Sequence, residues 1–147
     1  MDLQLACVAE YISRSAKGHL NILGLYDEIH AHNFPAKHAS LIVVVRFKYS
    51  RSEVSERPID ITYRVVNDDG KPMVELRGGQ LLQAPPSGEY AFWEHQLVLN
   101  DLVFEREGDY SVDVVVNGSQ RASVPIKLRR IPGDPGQEHG TLAPTGN

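Results

Sequence analysis

The sequence holds one cysteine, Cys7, so no disulfide can form within the chain, and that usage fits a reducing compartment. Long hydrophobic runs are missing too. No apolar run exceeds Leu41 to Val45, far short of the roughly 20 residues a membrane-spanning helix needs. Positive charge is not in excess: 15 Lys and Arg stand against 19 Asp and Glu, giving −4 with six His neutral. That balance excludes the electrostatic footprint expected for nucleic acid or an anionic membrane. Met1-Asp2-Leu3-Gln4-Leu5 has neither a basic start nor a long apolar stretch, so no signal peptide is expected. Enzymatic motifs are absent. There is no Gly-x-Ser-x-Gly elbow, no phosphate-cradling glycine loop and no His-Glu-x-x-His helix. A cytoplasmic, non-enzymatic chain without a cofactor, nucleic acid or membrane partner is the expectation.

What is there is a β pattern. With 147 residues, 41% of them hydrophobic, one domain with a packed core is expected. The body is residues 1–130. Residues 131–147 hold three Pro, four Gly and no Lys or Arg, which predicts a flexible tail. Leu3, Leu5, Cys7, Ala9 and Tyr11 alternate with mostly polar neighbours, the period of a half-buried strand. Leu20 and Ile22 resume the alternation, and Gly24 marks a phase change that predicts a bulge or bend. Leu41, Val43, Val45, Phe47 and Tyr49 form the strongest row. The opposite row, Ser40 to Lys48, is apolar only at its start, predicting cover on both sides there. Ile59 to Val65, Trp93 to Leu99, Tyr110 to Val116 and Ala122 to Leu128 alternate likewise, and Met73 to Leu82 reads as a strand broken at Gly78-Gly79. Asn117-Gly118 is the signal for a two-residue hairpin, and Pro125 predicts an edge for the last strand. Seven to nine such strands predict an all-β fold, a two-sheet antiparallel sandwich or a barrel.

Gly108-Asp109-Tyr110 favours the sandwich. It resembles the tyrosine corner of immunoglobulin-like domains, although Val112 stands where antibody domains carry a cysteine. Cys7, the stretch Gly18 to Gly24, Asp27-Glu28-Ile29, Phe34-Pro35-Ala36, Leu41 to Phe47 and Gly108-Asp109-Tyr110 together resemble a family of uncharacterised bacterial proteins. The resemblance implies an immunoglobulin-like β-sandwich and a bacterial origin. It implies no catalytic residue, cofactor or substrate.

Several clusters are candidates for chemistry. His30 and His32 point to one side of an extended segment, and His38 or Asp27 is a possible third ligand for zinc or another transition metal. The alternative is a polar loop with solvated imidazoles. Asp101, Glu105, Glu107 and Asp109 gather carboxylates that calcium would accept, but Arg106 interrupts them. Asn67-Asp68-Asp69-Gly70 is explained by turn chemistry. Cys7 is read as an inert core thiol and Trp93 as a core anchor.

These readings favour a binding or assembly module acting through protein–protein contacts, with a protein partner or a second copy of the chain. The alternative is a metal-dependent domain built on His30, His32 and His38. The first strand carries no charge between Asp2 and Glu10. If it lies at a sheet edge, Leu3 to Tyr11 is the inviting surface for strand addition or self-pairing.

Overall fold

In the computed structural model residues 1–133 are described, and most of the expected tail, 134–147, lies outside them. Nine strands run in chain order: β1 (Asp2–Arg14), β2 (Leu20–Leu25), β3 (Glu28–Ala31), β4 (Ala36–Ser50), β5 (Ile59–Val66), β6 (Pro72–Gln80), β7 (Tyr90–Phe104), β8 (Gly108–Val116) and β9 (Ser119–Arg130). One 3-10 turn, Arg51–Glu53, follows β4. The four-stranded sheet has the order β2-β1-β4-β7 and the five-stranded sheet the order β3-β9-β8-β5-β6. All pairings are antiparallel except β3 with β9. β1, β4 and β7 occupy the places of strands A, B and E of an immunoglobulin-like sandwich. β5, β6, β8 and β9 occupy those of C, C′, F and G, and among the described residues no strand takes the place of D.

The rows seen in the sequence meet between the sheets. Leu41, Val43, Val45 and Phe47 of β4 face Ile61, Val65, Val112, Val114, Ile126 and Leu128, and all are essentially buried. Asn117 (φ 49°) and Gly118 (φ 81°) make the hairpin turn between β8 and β9 as their sequence predicts. The tyrosine corner is present, with the Tyr110 hydroxyl donating to the Arg106 carbonyl at 2.7 Å. Tyr110→Phe leaves that carbonyl short of a partner, and a loss of about 1–2 kcal/mol is expected in urea unfolding. An unchanged midpoint would mean that water replaces the phenol.

Three expectations need correction. The register of β1 against β4 shifts between Leu3 and Leu5. Beyond the shift Ala6 and Val8 face the inter-sheet core, whereas Leu5 and Cys7 face the opposite side of the sheet. The alternating row is therefore split by a bulge that period-2 reading cannot see. Secondly, β1 is not an edge along its whole length: β4 flanks it on one side along Asp2–Ala9 and β2 on the other along Ala9–Arg14, so each half keeps one side without a strand partner among the described residues. Thirdly, β6 continues through Gly78 and Gly79, which pair with Ile61 and Asp60, because ladder hydrogen bonds to β5 need no side chain. The bend expected at Gly24 is present: at φ 72° and without a register shift, it lies where the chain leaves the first sheet for β3 in the second.

The β1–β2 hairpin forms a partial third layer. Ala9 pairs with Ile42, yet Arg14 Nη1 lies 2.6 Å from Glu94 Oε1, and Glu94 pairs with Arg46. A straight β1 would carry Arg14 about 16 Å beyond Ala9, whereas Arg46 lies about 13 Å from Ile42 in the opposite sense. The strand must therefore fold back over the outer face of the four-stranded sheet. Ile12, Leu20 and Ile22 then cover Cys7, Ile42 and Val44, which are buried although they face away from the main core. This is the cover predicted for the start of β4.

Candidate functional site

The three candidate histidines do not converge. His30 Nε2 lies 3.0 Å from Glu28 Oε2 on β3. His38 Nε2 lies 3.1 Å from the Tyr26 hydroxyl, with the rings edge-to-face at 5.3 Å. His32 is half-buried just past β3. Among the described residues no three His, Cys, Asp or Glu side chains come together to hold a metal ion. His30 and His32 alternate along an extended chain, but the strand ends between them, and among the described residues nothing long-range supplies a third ligand.

The carboxylates near the corner serve loop structure. Arg106 reaches Asp68 at 3.1 Å and also Asp69, tying the β5–β6 turn to the residue whose carbonyl anchors Tyr110. Glu107 accepts from the Arg130 amide at 3.0 Å, Asp109 faces Arg129 at 3.6 Å, and Asp101 faces Lys37 at 3.8 Å. Asn67 Oδ1 accepts from the amides of Asp69 and Lys71, the turn chemistry expected. Cys7 is buried beneath the hairpin, and desolvation pushes its thiol pKa up, so it is a poor nucleophile. Trp93 stacks on Phe47 at 5.7 Å inside the core.

One polar pair inside the core was not singled out by the sequence. His95 belongs to the inward row of β7, where its Nδ1 lies 2.6 Å from the Tyr63 hydroxyl of β5, with the two rings stacked. The pair bridges the two sheets. Burial raises the Tyr63 pKa and lowers that of His95, so each holds its neutral form. The unfolded chain, with an ordinary imidazole pKa of about 6.5, then binds more protons than the folded one. The stabilising effect is whole above that pH and is lost as pH falls through the depressed folded value. A melting temperature that declines from pH 7 to pH 5, and declines less in His95→Gln, is expected. Equal slopes in the two proteins would assign the titration elsewhere.

The longest strand at a sheet edge is β7. β7 is the outer strand of its sheet and pairs along its whole length with β4, from Tyr90 opposite Ser50 to Phe104 opposite Ala36. Its other side has no strand partner among the described residues. Soluble proteins ordinarily blunt such an edge with Lys, Pro, glycine breaks or shortness. The other open stretches are shorter: β6 has nine residues and begins at Pro72, β9 carries Pro125 just before β3 joins it at Lys127, β3 and β2 have four and six residues, and the uncharged residues 3–8 of β1 are also open on the β2 side. β7 has no Pro, Gly, Lys or Arg in 15 residues. Its single irregularity is Asp101 (φ 55°), which the ladder skips near the far end. Tyr90, Phe92 and Val98 are exposed along its outer face. Alternation finds such a strand in a sequence but cannot tell that it ends a sheet.

In fold the chain is similar to an immunoglobulin-like protein from Pseudomonas aeruginosa, at 14% identity and a TM-score of 0.35, over 85% of this chain and 97% of that one. It is also similar to the Pseudomonas fluorescens alkylpurine DNA glycosylase AlkC bound to DNA containing an abasic site analog, at 13% identity and a TM-score of 0.37. That match takes in 84% of this chain, which spans only 30% of the glycosylase. No curated protein matches the sequence. A family model matches residues 4–129, nearly the whole sandwich, and the chain therefore belongs to the family of unknown function DUF6941.

Proposed function

We propose that the chain is a non-enzymatic protein-binding module of the bacterial cytoplasm, which takes an extended segment of its partner along the edge of β7. The observation that carries this reading is the length of that edge, 15 residues without Pro, Gly, Lys or Arg, where the other open stretches are shorter. A row of unpaired backbone N–H and C=O groups supplies affinity to any chain able to extend against it. Cytoplasmic residence agrees with a single reduced, buried cysteine. Bacterial origin rests on the resemblance in the strands and turns of the body. The metal-dependent alternative has no observation in its favour, since His30 and His38 are engaged by Glu28 and Tyr26.

A photoreactive residue placed at Val98, which is half exposed on β7, should capture one partner protein in the cells that make this chain. The same residue at Arg77 on β6 should not. With the captured partner purified, slowed amide exchange should concentrate in Tyr90–Asn100. Equal capture from both positions, or slowing confined to another strand, would overturn the reading.

A further inference from the structure

Two features beside β7 bear on what its edge accepts. The first is charge. On the outer face of the four-stranded sheet, β4 sends two cations over the aromatic rings of β7. The Arg46 guanidinium lies 4.1 Å from the centre of the Phe92 ring, and Lys48 Nζ lies 4.3 Å from that of Tyr90. Arg14 reaches the same region from the hairpin. Glu94 is the carboxylate that answers Arg14 and Arg46, at 2.6 and 3.0 Å, and among the described residues none answers Lys48. The chain as a whole carries −4, so this cationic patch is local. It lies within a strand's width of the open edge.

The second feature is apolar. β7 and β6 are the outer strands of the two sheets on the same side of the sandwich, and they do not pair. Between them runs a groove of about 480 Å³ lined by Met73, Val74, Leu76, Leu99 and Leu102, and at the Asp101 end of β7 also by Asp101 and Glu105. Leu76 lies opposite Tyr63, in a row directed at the inter-sheet layer, yet it is 40% exposed because the seam is open. A strand added to β7 sits about 4.8 Å further out, and its side chains alternate between the two faces of the sheet. One row would lie over Lys48 and Arg46 beside Phe92 and Glu94, and the other, further along β7, over the groove beside Val98 and Leu99.

We infer that β7 takes an extended segment of another protein in which carboxylate and apolar side chains alternate. The carboxylates meet Lys48 and Arg46 on the outer face, and the apolar side chains close the β6–β7 seam. This inference rests on the reading of β7 as a binding edge and adds the chemistry of the partner.

The test uses the full chain and three synthetic peptides of about nine residues, a strand's length, alternating Val with Glu, Lys or Ser. Binding is read by fluorescence polarisation and site by amide hydrogen exchange. The Glu peptide should slow exchange in Tyr90–Asn100 and bind about tenfold tighter than the Lys peptide at low salt, a gap that shrinks as salt is added. Lys48→Glu should weaken the Glu peptide about fivefold and strengthen the Lys peptide. Lys48→Gln, which keeps the stem over Tyr90, should give an intermediate loss. Methylating alternate backbone nitrogens of the Glu peptide should abolish binding, because the ladder cannot form. If all three peptides slow exchange in β7 equally, the edge reading stands and the charge inference falls. If no peptide slows β7, both fall. Concentration-dependent slowing in β7 without peptide would assign the edge to a second copy and overturn the inference.

Discussion

Phe47→Ala is expected to cost about 3–5 kcal/mol, a large share of the roughly 5–15 kcal/mol that stabilises a domain of this kind. Phe47 is fully buried, stacks on Trp93 of β7, pairs with Leu3 of β1 and lies 5.7 Å beneath the Arg121 guanidinium of β9. The ring thus touches both sheets and the first strand at one end of the sandwich. Truncation removes its transfer free energy and leaves a hole whose walls are ladder-bonded strands that cannot move inward independently. Urea unfolding followed by Trp93 fluorescence measures the effect, with the slope m expected to be unchanged. A loss under about 1.5 kcal/mol would mean that Arg121 and Met1 collapse into the space.

Val44→Asp tests the third layer. On a plain sandwich an outward-facing valine of this sheet would be exposed, and a polar replacement would change stability by under about 0.5 kcal/mol. Val44 is instead fully buried beneath Ile12, Leu20 and Ile22 of the β1–β2 hairpin. The carboxyl would lose water without gaining a partner, and the apolar contacts would be lost as well. A cost of about 3 kcal/mol or more is expected. Amide exchange in residues 10–25 should quicken more than in β8, because the hairpin is held to the sheet by this small cluster and by the Arg14–Glu94 pair. A near-neutral substitution would show that the hairpin does not close over the sheet.

Much of the sandwich was legible because strand alternation is local. Leu41 to Tyr49, Ile59 to Val65 and Tyr110 to Val116 each declare a buried face within the strand itself, and those faces are buried. Asn117-Gly118 and Asn67-Asp68-Asp69-Gly70 declare their turns, since positive φ and side-chain-to-backbone bonds belong to the residues concerned. Tyr110 announced its corner because the phenol bonds a carbonyl only four residues away. The candidate site was less legible. His30, His32 and His38 are close in sequence, but His30 ends up on β3 and His38 on β4, in different sheets. Sequence neighbours along an extended chain part company as soon as the chain changes sheet.

The sequence by itself determined the all-β class, a body of seven to nine short strands, most inward rows and the tight turns, because each depends on side chains a few residues apart. Only the tertiary structure decided the register shift in β1, the fold-back of the hairpin over Val44, the meeting of His95 with Tyr63 and the position of β7 at the end of its sheet. Each of these is a choice among pairings that would bury the same alternating rows. Alternation says which face of a strand is apolar; it carries no label for the neighbour on either side. That neighbour is chosen by the packing of the whole chain, and in this protein the choice places β7, 15 residues long, at the end of its sheet.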